Sequence, residues 1–327
     1  MKALSKQFYL PRFKEKIRFT RKIPQTFVDN FQVYEYHQFS LLSSFLFLIT
    51  VFFLPIFYDL LVKYVISVGS SISLGFLALK FIGYGLSFGW FLYEDTKKFI
   101  KSGAWAIYLF LFSQIITIII VSIATVISGF TGAIDVTNDK TLSGSIALLI
   151  QGLVQIGVII LILILCKPLM LKIFNTITYN ILLVVLTLIF AYGIMYGLNY
   201  LSSLINIAIN GKNSAGANQT TIEASIRTIF DKVLVFIPIV IAAPIIEELA
   251  FRHGFMMLTR NRWIGAVGAT ILFAWVHVVQ NPENFFVYFG ISVALTSVFI
   301  VSRENVTYAI LLHMINNFVA YIFLVSR

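Results

Sequence analysis

Nine apolar runs, most of them 18 residues or longer, leave this chain few ways to fold. They lie at 40–62, 67–93, 103–130, 144–166, 174–202, 231–260, 264–280, 284–301 and 305–326. A helix rises about 1.5 Å per residue, so runs of this length match a hydrocarbon layer roughly 30 Å thick. A membrane barrel would alternate apolar and polar residues in short strands, and these runs do not. The overall composition agrees: 59% of residues are hydrophobic and the mean hydropathy is +0.92, well above an ordinary soluble domain. The chain reads as all-α, a polytopic transmembrane helix bundle of about 8–9 spans.

The charges order these spans. A net charge of +10 suits nucleic acid or basic loops that set membrane topology, and on a chain this apolar the second reading holds. No nucleic-acid partner is expected. Residues 1–38 form a basic tail with eight lysines and arginines, suited to lie on anionic membrane lipid. If that tail is inside, so are Lys97, Lys98, Lys101, Lys167, Lys172, Arg252, Arg260, Arg262 and Arg303, which makes 17 of the 24 basic residues. The bias predicts a cytoplasmic N-terminus, and nine spans would leave the C-terminus outside. The chain then divides into the tail 1–38, N-terminal transmembrane helices at 39–202, an extracytoplasmic loop at 203–230, and a catalytic helix bundle at 231–327. A single cysteine, Cys166, excludes an intrachain disulfide and a cysteine-rich metal site.

The last third carries groups that apolar helices do not hold without reason. Glu247, Glu248 and Arg252 sit inside the sixth run, and each charge at a helix centre costs about 2.5–3.5 kcal/mol. Adjacent carboxylates also repel each other, which adds to that cost. Glu248 and Arg252 are spaced i,i+4 and can pair on one helix face. Phe273 lies one turn from His277 and can wall its ring. His313 and Asn317 share a face in the same way. Trp275, between the motif positions, reads as replaceable by Phe.

Depth can be counted from the turns. Glu247 precedes Arg262 by 15 residues and His277 follows it by 15, so both lie about 20 Å from that turn. His313 lies 10 residues beyond Arg303, about 15 Å deep. Three helices can therefore deliver a carboxylate pair and two histidines to one layer. Glu247 with His277 can act as general base towards a water. His313 and the Asn317 amide can donate to the oxyanion formed on a peptide carbonyl. Glu248 and Arg252 support them. Rival readings remain: a structural ion pair, a proton-coupled transporter, or zinc held by Glu248, His277 and His313. No His-Glu-x-x-His pair supports the zinc reading. The site is read without metal or cofactor.

At these residues the chain resembles the CPBP family, the CAAX-protease and bacteriocin-processing intramembrane endopeptidases, also called the Abi family. The resemblance rests on Glu247-Glu248-x-x-x-Arg252, Phe273-x-x-x-His277 and His313-x-x-x-Asn317, in that order on successive helices, over about 231–320. It implies a glutamate-type intramembrane protease of a bacterial cell membrane. Its substrate would be a membrane-associated or lipidated peptide. In that reading Glu247 and His277 activate water, and His313 with Asn317 form the oxyanion site. The family also implies alternatives, a non-proteolytic scaffold or regulator and a bacteriocin self-immunity protein. The family commonly has Gly directly after the Arg, whereas here His253 intervenes before Gly254.

Overall fold

The computed structural model describes residues 38–65, 70–131, 140–211, 229–279 and 281–326. Residues 1–37, nearly all of the basic tail, and residues 212–228, within the stretch expected from the sequence to be an extracytoplasmic loop, lie outside the described residues. Ten helices make up the described chain: α1 Leu41–Tyr64, α2 Ser70–Ser102, α3 Ala106–Thr131, α4 Lys140–Leu165, α5 Lys167–Tyr179, α6 Ile181–Asn210, α7 Asp231–Leu258, α8 Arg262–Val276, α9 Phe285–Val301 and α10 Val306–Val325. No strand occurs among the described residues. Among the described residues seven helices are long and apolar enough to cross a bilayer, or eight if the bent pair α4–α5 is one span. This is a multi-pass membrane helix bundle.

Helix ends follow local chemistry. Asn180, Asn261 and Asn305 each accept a backbone N–H from the first turn of the helix they precede, which satisfies donors that an unpaired helix start would leave bare in lipid. Asp95 breaks α2 (φ −160°, ψ 86°) and accepts the Lys98 N–H at 2.9 Å. The lysines at 97, 98 and 101 thus follow a restart rather than continuing the span. Pro168 opens α5, where a missing N–H costs nothing.

Two boundaries differ from the sequence reading. The run at 174–202 is not one helix, because Asn180 caps a new one and α5 turns away from α4 at 91°. The helix α6 then continues to Asn210, inside the stretch read as loop, and ends on Gly211 at φ 70°, the left-handed cap that glycine adopts without strain. The run at 264–280 also falls short: α8 has 15 residues, about 22 Å at 1.5 Å each, against a layer of roughly 30 Å. It stops at His277. Backbone that leaves helical geometry at such depth is stable only inside protein or beside water.

Cross-links place the turns. Arg262 Nε pairs with Glu304 Oε1 at 3.2 Å, so the α7–α8 and α9–α10 turns meet at one face. Thr176 of α5 accepts from Asn305 Nδ2 at 3.3 Å at that face. At the far end Asn210 Nδ2 donates to the Glu283 carbonyl at 2.6 Å. Between these ends α6 and α9 approach closely at Gly290, where a Cβ would lie 2.5 Å from the Leu198 carbonyl oxygen. Small residues at such crossings let backbones pack where lipid offers no hydrophobic drive.

Candidate active site

The helix α7 holds the first part of the site, and its geometry is unusual. It widens to π-helical turns over Ile237–Ala242 and Leu249–Phe255, on either side of Glu247 and Glu248. Such widenings occur often at functional sites. Here prolines explain the first. The Ala243 N–H bonds back to the Pro238 carbonyl, and Pro244 has no N–H to give. The Ile239 carbonyl is therefore left without a donor in its own helix, and Asn317 Nδ2 of α10 fills that role at 3.0 Å.

Glu248 and Arg252 pair as their spacing predicts, at 3.1 Å with both side chains fully buried. Glu248 Oε1 also faces His313 Nδ1 at 2.8 Å. Arg252 reaches further than its carboxylate. Its Nη2 donates to the Ser292 carbonyl at 3.2 Å and to the Ser292 hydroxyl at 3.1 Å, and its guanidinium lies 4.4 Å over the Phe273 ring. Ser292 in turn donates to the Thr270 carbonyl at 2.9 Å. One arginine thereby ties α7, α8 and α9 together.

The second layer is built around Glu247. His277 Nε2 stands 3.7 Å from Glu247 Oε2, and His313 Nε2 stands 4.0 Å from the same oxygen. Both imidazoles are fixed from behind. His277 Nδ1 donates to the Phe273 carbonyl at 2.7 Å, while His313 Nδ1 faces the Glu248 carboxylate. Each ring thus turns Nε2 towards Glu247. Phe273 walls both, 4.6 Å from His277 and 5.6 Å from His313 between ring centres. Glu247 and His277 keep 14% and 12% side-chain exposure, so this layer is the accessible one and the Glu248–Arg252 layer is sealed.

Among the described residues no group of three His, Cys, Asp or Glu is placed to hold a metal ion.

All seven residues singled out from the sequence lie on α7, α8 and α10 or at their ends. Glu247, Glu248, Arg252, Phe273, His277 and His313 form one contact set. Asn317 lies one turn past His313, with one amide hydrogen committed to Ile239. His253, the intervening residue, donates from Nε2 to the Ser102 carbonyl at 2.7 Å. Gly254 makes the tight approach, where a Cβ would lie 2.9 Å from the Ala104 carbonyl oxygen.

The sequence reading missed three partners. Tyr288 stacks on His277, with centres 4.8 Å apart at 30°. Ser292 receives Arg252. Trp275, read as replaceable, donates its indole N–H to Asp59 Oδ2 of α1 at 3.1 Å, and Asp59 pairs with Lys80 of α2. The signal for this last link was present, since Asp59 and Lys80 are charges within apolar runs.

The comparisons cover the part of the chain that holds this site. Residues 229–319 match the model of the family described as type II CAAX prenyl endopeptidase Rce1-like. A curated relative from Lactococcus lactis subsp. cremoris, named "UPF0177 protein in abiGi 5′region", is 37% identical over 84 residues, which is 26% of this chain and 35% of the relative. UPF0177 protein YaiH of Lactococcus lactis subsp. lactis is 38% identical over 82 residues, 25% of this chain and 34% of the relative. The chain thus spans about a third of the length of the curated relatives it matches. No solved structure matches. The helices that bring Glu247, His277 and His313 together lie within residues 229–319, the stretch that is similar to the Rce1-like family.

Proposed function

We propose that this protein is an intramembrane endopeptidase that hydrolyses a peptide bond of a membrane-associated or lipidated peptide with a Glu/His-activated water. The observation that carries this reading is the convergence of His277 Nε2 and His313 Nε2 on Glu247 Oε2, at 3.7 and 4.0 Å. These separations exceed a direct hydrogen bond and suit one bridging water. Water could reach that depth beside the end of α8, which stops short of the far face.

The backing of each histidine divides the labour. His277 leans on a neutral carbonyl, so its Nε2 is free to take a proton from water held by Glu247. His313 leans on the Glu248 carboxylate, which can balance a second proton on that ring. His313 then donates from Nε2 to the carbonyl oxygen as negative charge develops there. Glu248 has the orienting role that a buried carboxylate plays behind a catalytic histidine. The attacking water adds to the peptide carbonyl, and the proton it loses to Glu247 and His277 goes to the leaving amine. Asn317 uses one amide hydrogen to hold α7 and offers the other to the oxyanion.

In proteoliposomes with a library of membrane peptides, cleavage is expected and should persist in strong chelators. Loss on chelation with recovery on added zinc would move the site to the metal reading. Proton or solute movement without any cleavage would move it to the transporter reading. Glu247 serves in both the hydrolase and the transporter readings, so the product assayed decides between those two.

The chain's orientation is proposed from its charges, with the basic tail in a bacterial cytoplasm. Cysteines introduced at Lys97 and Ser214 should be labelled from opposite faces of intact cells. Labelling of both from one face contradicts that layout.

A further inference from the structure

The imidazole of His277 packs against two aromatic rings. Phe273, from its own helix, lies 4.6 Å away at 38°, and Tyr288 of α9 lies 4.8 Å away at 30°. Its Nδ1 is tied to the Phe273 carbonyl at 2.7 Å. A single hydrogen bond fixes one ring atom but leaves the ring free to tilt about that anchor. Two aromatic rings packed against the imidazole at 38° and 30° limit that freedom, because tilting would drive it into one of them. The need is specific to this histidine. His277 follows the last residue of α8, and helical neighbours cannot brace it beyond that point. His313, by contrast, lies within α10 and is braced by the buried Glu248 carboxylate.

We propose that Tyr288 is a positioning residue, holding the His277 ring plane so that Nε2 stays directed at Glu247. This deepens the hydrolase reading and rests on it for its kinetic part. The tyrosine acts through its ring, stacked on the imidazole from a neighbouring helix. Nothing in the three sequence motifs contains it, since it lies eleven residues beyond His277 on a separate helix.

The test compares Tyr288→Phe, which keeps the face, with Tyr288→Leu, which keeps apolar bulk and loses it. In the full chain, Tyr288→Leu should lower kcat about 10²-fold with little change in KM, the scale expected when a catalytic group is misplaced by about 1 Å. Tyr288→Phe should stay within about threefold of wild type, far inside that 10²-fold scale. A second readout does not depend on activity. The chain has four histidines, so selectively labelled imidazoles can be assigned by single substitutions in detergent. The ring current of the stacked Tyr288 should shift the His277 ring protons upfield in wild type and Tyr288→Phe, and Tyr288→Leu should move them back. An unmoved His277 resonance in Tyr288→Leu overturns the proposal, as does a loss in Tyr288→Phe equal to that in Tyr288→Leu. If wild type cleaves no peptide, the hydrolase reading falls, and the resonance alone still decides whether Tyr288 holds the ring.

Discussion

Arg252→Ala is expected to lower the yield of folded protein and its unfolding midpoint, by an amount corresponding to about 3–5 kcal/mol. The side chain is fully buried and holds four positions at once: Glu248 on its own helix, the carbonyl and hydroxyl of Ser292 on α9, and the Phe273 face on α8. Removing it leaves the Glu248 carboxylate with His313 as its remaining partner, in a site with no exposure. It also opens a void where three helices meet. Arg252→Lys should recover part of the loss, because an ammonium restores the charge but cannot span Glu248 and Ser292 with a planar fork. The check is detergent-extracted monodisperse yield and the thermal midpoint. Wild-type values for Arg252→Ala would mean the ion pair does not support the bundle.

The fold was legible where the physics is local or simple to count. Run lengths set the helices because lipid demands that every backbone group bond within its segment. The depth count from Arg262 and Arg303 brought Glu247, His277 and His313 to one layer, and the Arg262–Glu304 pair explains why it worked: both turns start from one face. Charges in apolar runs marked Glu248 and Arg252 because of their cost. What escaped was set by contacts between helices distant in sequence. The break at Asn180 and the early end of α8 depend on caps and turns that hydropathy averages away. Asn317 reads as a donor to substrate, yet one of its hydrogens answers a carbonyl stranded by Pro244 seventy-odd residues earlier. That need appears only once the helix is known to widen there. Tyr288 and Ser292 are ordinary residues of an apolar helix until α9 is laid against α8. Asp59 lies outside the stretch that matches a family model, so no motif led to it.

Glu247→Gln is expected to reduce cleavage by about 10²–10⁴-fold, the range supplied by a positioned acid–base group. The amide keeps the shape but cannot take a proton from water. His277→Ala should cost a similar amount. Combined, the two should cost little more than either alone, because groups acting on one water fail together rather than in sum. His313→Ala and Asn317→Ala should each cost less, about 10²–10³-fold, as oxyanion donors do. Folded yield should be near normal for Glu247→Gln, unlike Arg252→Ala, since Glu247 is in the accessible layer and carries no helix-to-helix clasp. The most direct measurement is the initial rate of peptide cleavage by reconstituted wild type and Glu247→Gln at matched folded yield. The account predicts cleavage by wild type and a loss of at least about 10²-fold in the variant. Near-wild-type cleavage by Glu247→Gln would contradict it.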